Sequence, residues 1–114
     1  MFDKDALRNQ YPEYYPKGYF DYSIGDGWKP ILEQFCKDAK QLGLEFKFAQ
    51  VKEKFGGLRI YTDAVKTEFF DSLNALVDRA EKQAQVTCEN CGAIPAEIRA
   101  GGWLKCLCEG CNKK

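Results

Sequence analysis

From Pro30 onward the apolar positions recur at helical spacing: Ile31, Leu32, Phe35, Cys36, Ala39 and Leu42 fall along one side of a 3.6-residue repeat. Pro30 suits a first helical turn, where its missing N–H forfeits no hydrogen bond, and Gly43 supplies a stop. A helix is therefore predicted over 29–42. The period then changes to two. Leu44, Phe46 and Phe48 share one face, with Glu45 and Lys47 on the other. Ala49 and Val51 next add apolar character to the opposite face, which calls for a strand end covered on both sides or for a bulge. Gly56-Gly57 turns the chain and Leu58 to Thr62 returns, predicting a hairpin over 44–62. Asp63 or Thr67 can cap a second helix, predicted over 64–85. Its buried stripe is Phe69, Leu73, Leu76, Val77, Ala80 and Ala84, with Asp71, Asp78, Arg79 and Lys82 facing water.

Residues 1–24 follow neither period. Asp3 or Asp5 can start one or two helical turns that run through Asn9 and stop at Tyr11-Pro12. Tyr11, Tyr14, Tyr15, Tyr19, Phe20 and Tyr22 crowd a stretch punctuated by Pro12, Pro16 and Gly18, with Tyr19 to Ser23 a candidate short strand. Prolines prevent one regular element from burying all these rings on one face. Two readings follow: Tyr14 and Tyr15 form part of a partner or dimer surface, or the arm completes a small core. Gly25-Asp26-Gly27 reads as a turn in which Asp26 caps the next helix rather than binding a metal. The plan is α+β: an aromatic arm (1–24), a body (25–86) of a small antiparallel sheet with two helices packed on it, and a C-terminal module (87–114).

That module carries the clearest chemistry. Cys88-x-x-Cys91 and Cys108-x-x-Cys111 lie sixteen residues apart, a spacing typical of zinc ribbons and knuckles. Each C-x-x-C turn points two thiolates into one tetrahedral corner, with Gly92 and Gly110 easing the turns and Gly101-Gly102 as the hairpin tip. Four thiolates leave zinc no open position, so a Zn2+ bound by Cys88, Cys91, Cys108 and Cys111 is structural. Cys106 could replace Cys108, but the second pair would then lose its two-residue spacing. Cys36, in the apolar stripe of the first helix, reads as a core residue; a nucleophile would need a base, and the chain has no histidine.

Composition narrows the function. Seventeen basic residues balance seventeen acidic ones in 114 residues. Divided after Gly43 and Val86, the segments hold six basic and seven acidic residues, seven of each, and four and three. No segment is held on nucleic acid by net charge. A local basic patch survives at Lys52, Lys54 and Arg59, which with Glu53 flank Gly56-Gly57: an anion-binding loop, or a solvated hairpin tip. Trp28 and Trp103 each begin an element beside glycines and read as core anchors, with stacking on a nucleobase as the alternative. No apolar run reaches membrane-span length and no secretory leader precedes the first element, so a cytoplasmic protein with reduced thiols is expected.

Gly25-Asp26-Gly27-Trp28, the run Gln50-Val51-Lys52-Glu53-Lys54-Phe55-Gly56-Gly57-Leu58-Arg59, the Thr87-Cys88-Glu89-Asn90-Cys91-Gly92 knuckle and the Gly102-Trp103…Leu107-Cys108 segment resemble a family of short uncharacterised proteins. These are encoded in bacteriophage genomes and in bacterial chromosomes carrying mobile elements. The resemblance covers most of residues 20–111 and implies the same domain plan, but no activity. In the family pattern the position of Cys106 is more often a threonine, which favours Cys108 as ligand. The expected function is a non-enzymatic, zinc-binding recognition protein, phage-derived and acting in the host cytoplasm on a host protein of a defence or transcription complex. The alternative is a nucleic-acid-binding zinc ribbon using the Lys52/Lys54/Arg59 hairpin.

Overall fold

The chain enters its sheet at β1 (Asp21–Ser23), passes through a 3-10 turn at Asp26–Trp28 and helix α1 (Lys29–Gln41), and returns as β2 (Lys47–Lys54). β2 lies parallel to β1, so these elements form a βαβ crossover. β3 (Gly57–Asp63) then pairs antiparallel with β2, giving the order β1-β2-β3. A 3-10 turn at Thr67–Phe69 leads into α2 (Phe70–Ala84). The C-terminal module holds an antiparallel pair, β4 (Glu97–Arg99) and β5 (Lys105–Leu107), and a short helix, α3 (Glu109–Asn112). This computed structural model describes residues 7, 9–16, 21–63, 65–99 and 104–112. Asp3, Asp5, Gly18, Tyr19, Phe20, Gly101, Gly102 and Trp103, to which roles were assigned above, lie outside the described residues. The α+β class is as expected, but the sheet is mixed rather than antiparallel, because the three residues of β1 are joined to β2 through a helix.

Both helices bury most of the stripes read from their periodicity, with Val77 and Phe69, the latter in the 3-10 turn before α2, only half-buried. α1 buries Ile31, Leu32, Phe35, Cys36 and Ala39, and α2 buries Leu73, Leu76, Ala80 and Ala84. Leu42, expected in the first stripe, is 59% exposed because the helix has already ended. Gly43 takes φ +69°, and the amides of Leu44 and Gly43 return to the carbonyls of Ala39 and Lys40 at 3.0 and 3.1 Å. This is a Schellman stop, and its left-handed residue is the glycine.

In β2 the pairing shifts between Phe48 and Gln50, with Phe48 opposite Thr62 and Gln50 opposite Tyr61. Ala49 is the extra residue of a bulge, so Phe48 and Val51 both turn inward at a spacing of three. On β3, Leu58 and Ile60 complete that buried face. The hairpin turns one residue earlier than expected, through Phe55 and Gly56 at φ +54° and +83°, and Gly57 already belongs to β3. Two central residues at positive φ are what a type I′ two-residue hairpin loop requires. Glu53 supports the turn by accepting the Gly56 amide at 2.7 Å. At the sheet edge, the Glu81 carboxylate of α2 accepts the Ile60 amide at 3.1 Å, protecting an edge strand from further pairing.

The aromatic arm is part of this core. The Tyr14 ring stacks on Phe46 at 4.2 Å, and its hydroxyl donates to the Leu44 carbonyl at 3.4 Å. The Tyr15 ring meets Phe48 edge-on at 5.2 Å. At 3% and 5% exposed, Tyr14 and Tyr15 do not form the partner or dimer surface that was one of their two readings. The two helices and the sheet leave the Phe46 and Phe48 rings uncovered on one side, and the tyrosines close it.

Candidate metal centre

Cys88, Cys91, Cys108 and Cys111 converge until their sulfurs all lie within 4.8 Å of one another. The Cys91 and Cys108 sulfurs are 3.6 Å apart. A zinc tetrahedron with bonds of about 2.3 Å has sulfur–sulfur edges of about 3.8 Å, so the four thiols fit this ion with only a small contraction. Local backbone brings them there. The Gly92 amide returns to the Cys88 carbonyl and the Cys88 amide donates to the Ala93 carbonyl, both at 2.9 Å, closing the first knuckle. Gly92 takes φ +83° to complete it. In the second, the Cys111 amide donates to the Cys108 sulfur at 3.4 Å as α3 begins. The Glu89 amide donates to the Cys106 carbonyl at 2.9 Å and ties the two knuckles together.

The thiols are tuned against one another. Burial opposes ionisation of Cys88, yet the backbone amides of Cys108, Cys91 and Asn90 and the Cys111 thiol bring it down to about 6. The Ala93 amide favours a thiolate at Cys91, but the three neighbouring thiols push it up to about 12. Ionisation is thus favoured at Cys88 and opposed at Cys91. A divalent metal bound among them would favour the thiolate form of its sulfur ligands.

Cys106 belongs to a different structure. Its sulfur is buried and faces the carbonyls of Ala84, Gln85 and Thr87 at 3.4, 3.4 and 3.3 Å. Its single S–H can donate to one of these carbonyls at a time where the chain leaves α2, a task a threonine hydroxyl could also perform. Cys36 is likewise buried, and its thiol is pushed up to about 12, first by burial and then by Glu13 and Glu33.

The contact between module and body was not read from the sequence. The Gly25 amide donates to the Glu89 carboxylate at 3.0 Å, and the Gly27 amide to the Glu89 carbonyl at 2.7 Å. The Trp28 indole, fully buried as the core reading required, donates to the Thr87 carbonyl at 2.9 Å. A Cβ on Gly27 would collide with the Cys88 carbonyl and lie 2.5 Å from the Gly92 nitrogen. Gly25-Asp26-Gly27-Trp28 is thus the seat of the first knuckle. The signal was available: two glycines around one residue before a tryptophan mark a close backbone approach, here to another chain segment rather than within a turn.

Lys52, Lys54 and Arg59 lie on the β2–β3 hairpin, outside the four-cysteine cluster. Lys52 is directly opposite Arg59 and Lys54 opposite Gly57, on the face turned away from Val51 and Ile60. Among the described residues none of the three cations has an ion-pair partner. No described helix is long and apolar enough to cross a membrane. No protein family, curated protein or solved structure matches this chain.

Proposed function

We propose that this chain is a non-enzymatic recognition protein in which one zinc ion, held by Cys88, Cys91, Cys108 and Cys111, staples the two knuckles of the C-terminal module together. The convergence of four sulfurs within 4.8 Å carries this reading. A tetrahedral all-sulfur site suits zinc among common divalent ions, and with four thiolates bound it offers no position for substrate. The remaining chemistry supports binding over catalysis. The chain has no histidine, and the Cys36 thiol is held protonated inside the core.

The surface offered for recognition is the Lys52, Lys54 and Arg59 face, which calls for an anionic partner. The phage resemblance supports a macromolecule of a host cell as that partner. Burial takes Tyr14 and Tyr15 out of the candidate partner residues and leaves Lys52, Lys54 and Arg59 to meet a host protein or, as the alternative, a nucleic acid.

Cobalt substitution tests the metal reading. Co2+ titrated into chelator-treated protein should bind one equivalent and give the intense sulfur-to-metal charge-transfer bands of a four-thiolate tetrahedral site, and Zn2+ should displace it. An octahedral cobalt spectrum, or iron in the protein as purified, would count against it.

A further inference from the structure

We infer that the outer face of the three-stranded sheet, from Phe55 at the hairpin tip to Tyr61, binds single-stranded nucleic acid. This rests on the proposed reading of the chain as a recognition protein and names the partner class of its cationic face. Cross-strand register places Lys52, Lys54, Arg59 and Tyr61 on this face, opposite to the one that buries Val51, Leu58 and Ile60. Phe55 is 68% exposed and Tyr61 44% exposed. Three cations and the Tyr61 ring therefore share one face of the hairpin, and the Phe55 ring at its tip lies beside Lys54. Phosphates need the cations, and unpaired bases need flat apolar rings on which to stack.

Two local rules of hairpin stability are broken here, and both breaches supply the same face. Lys52 sits directly across from Arg59, a like-charge pair that destabilises an antiparallel ladder. Phe55 holds φ +54° in a turn position that favours glycine or asparagine, and its ring projects into water with the Lys54 ammonium 5.8 Å from its centre. Strain concentrated at one exposed place is the mark of a surface kept for binding. Arg59 is also set in advance. Its guanidinium donates to the Leu58 carbonyl at 3.0 Å and lies over Gly57, where a Cβ would come within 2.8 Å of Nη1. A glycine at that position leaves room for the guanidinium. An acidic protein partner would use the cations but has no need of two solvent-facing rings beside them.

The test is fluorescence anisotropy of the full, zinc-loaded chain with a labelled mixed-sequence single strand of about 16 nucleotides. A duplex of the same sequence and a polyglutamate chain serve as competitors. The single strand should bind in preference to both. Three phosphate contacts predict a slope of log affinity against log salt of about −2. Tyr61→Ala should weaken binding roughly ten-fold by loss of one stacked base. Phe55→Asn should weaken it similarly while raising the thermal midpoint by a few degrees, roughly, because asparagine accepts the left-handed turn. If Tyr61→Ala does not fold, Phe55→Asn carries the test, since its strain is relieved. Affinity unchanged in Phe55→Asn, or polyglutamate competing as well as the strand, would overturn the inference in favour of an acidic protein. So would absence of binding by protein that carries one zinc per chain, an outcome that leaves the metal reading standing. Strand binding by a chain devoid of metal would do the reverse.

Discussion

The indole N–H of Trp28 donates to the carbonyl of Thr87, 59 residues downstream and immediately before the first metal-ligand candidate, at 2.9 Å. A fully buried side chain of the body thus positions the backbone of the knuckle. Trp28→Phe keeps most of the ring but leaves the buried Thr87 carbonyl with only the weak Cys106 thiol as donor. It should cost about 1–3 kcal/mol in urea unfolding. It should also speed zinc loss to a chelator, since the knuckle loses its anchor. Unchanged chelation kinetics with lowered stability would mean that Trp28 serves the core alone.

Glycine substitutions should separate close approach from mere turn geometry. Gly27→Ala puts a methyl group into the backbone of Cys88, Glu89 and Gly92 and should destabilise by more than about 2 kcal/mol. Gly110→Ala meets nothing within 4 Å and should fall within about 0.5 kcal/mol of the parent or slightly above it. Thermal or urea denaturation of the two variants side by side checks the contrast.

Helical stripes and ligand spacing were legible in the sequence because each is a periodic or fixed-offset signal within one segment. Ile31, Leu32, Phe35, Cys36 and Ala39 announce their helix through neighbours, and the two C-x-x-C pairs announce a metal corner in the same way. The bulge was legible too, as a defect in the alternation around Ala49. What could not be read depends on residues far apart in sequence. β1 is three residues long and owes its place to pairing with β2 across a helix. Tyr14 and Tyr15 have no periodic partner, so only the Phe46 and Phe48 rings show that they are core. Glu89 looks like an ordinary knuckle acid until the Gly25 amide is seen on its carboxylate.

Alkaline stability should report on Cys36. Its thiol is raised from the usual 9.0 to about 12, chiefly by burial, so the native state holds this proton more tightly than the unfolded chain does. The contribution is complete below the unfolded value and is lost as pH rises toward the folded one, at no more than about 1.4 kcal/mol per pH unit. Urea midpoints taken from about pH 8 to about pH 11 should fall less steeply for Cys36→Ala than for the parent, whatever their absolute offset. Equal slopes would place Cys36 in contact with solvent. The same burial predicts that native Cys36 resists alkylation at neutral pH.

The central claim is a single zinc held by Cys88, Cys91, Cys108 and Cys111, with Cys106 excluded because its sulfur faces three carbonyls of the α2 terminus. The most direct measurement is the zinc content, by elemental analysis or native mass spectrometry, of the parent chain, Cys106→Thr and Cys108→Ser, each purified without added metal. The account predicts about one zinc per chain in the parent and in Cys106→Thr, and loss of tight binding in Cys108→Ser. Full occupancy in Cys108→Ser together with loss in Cys106→Thr would contradict it.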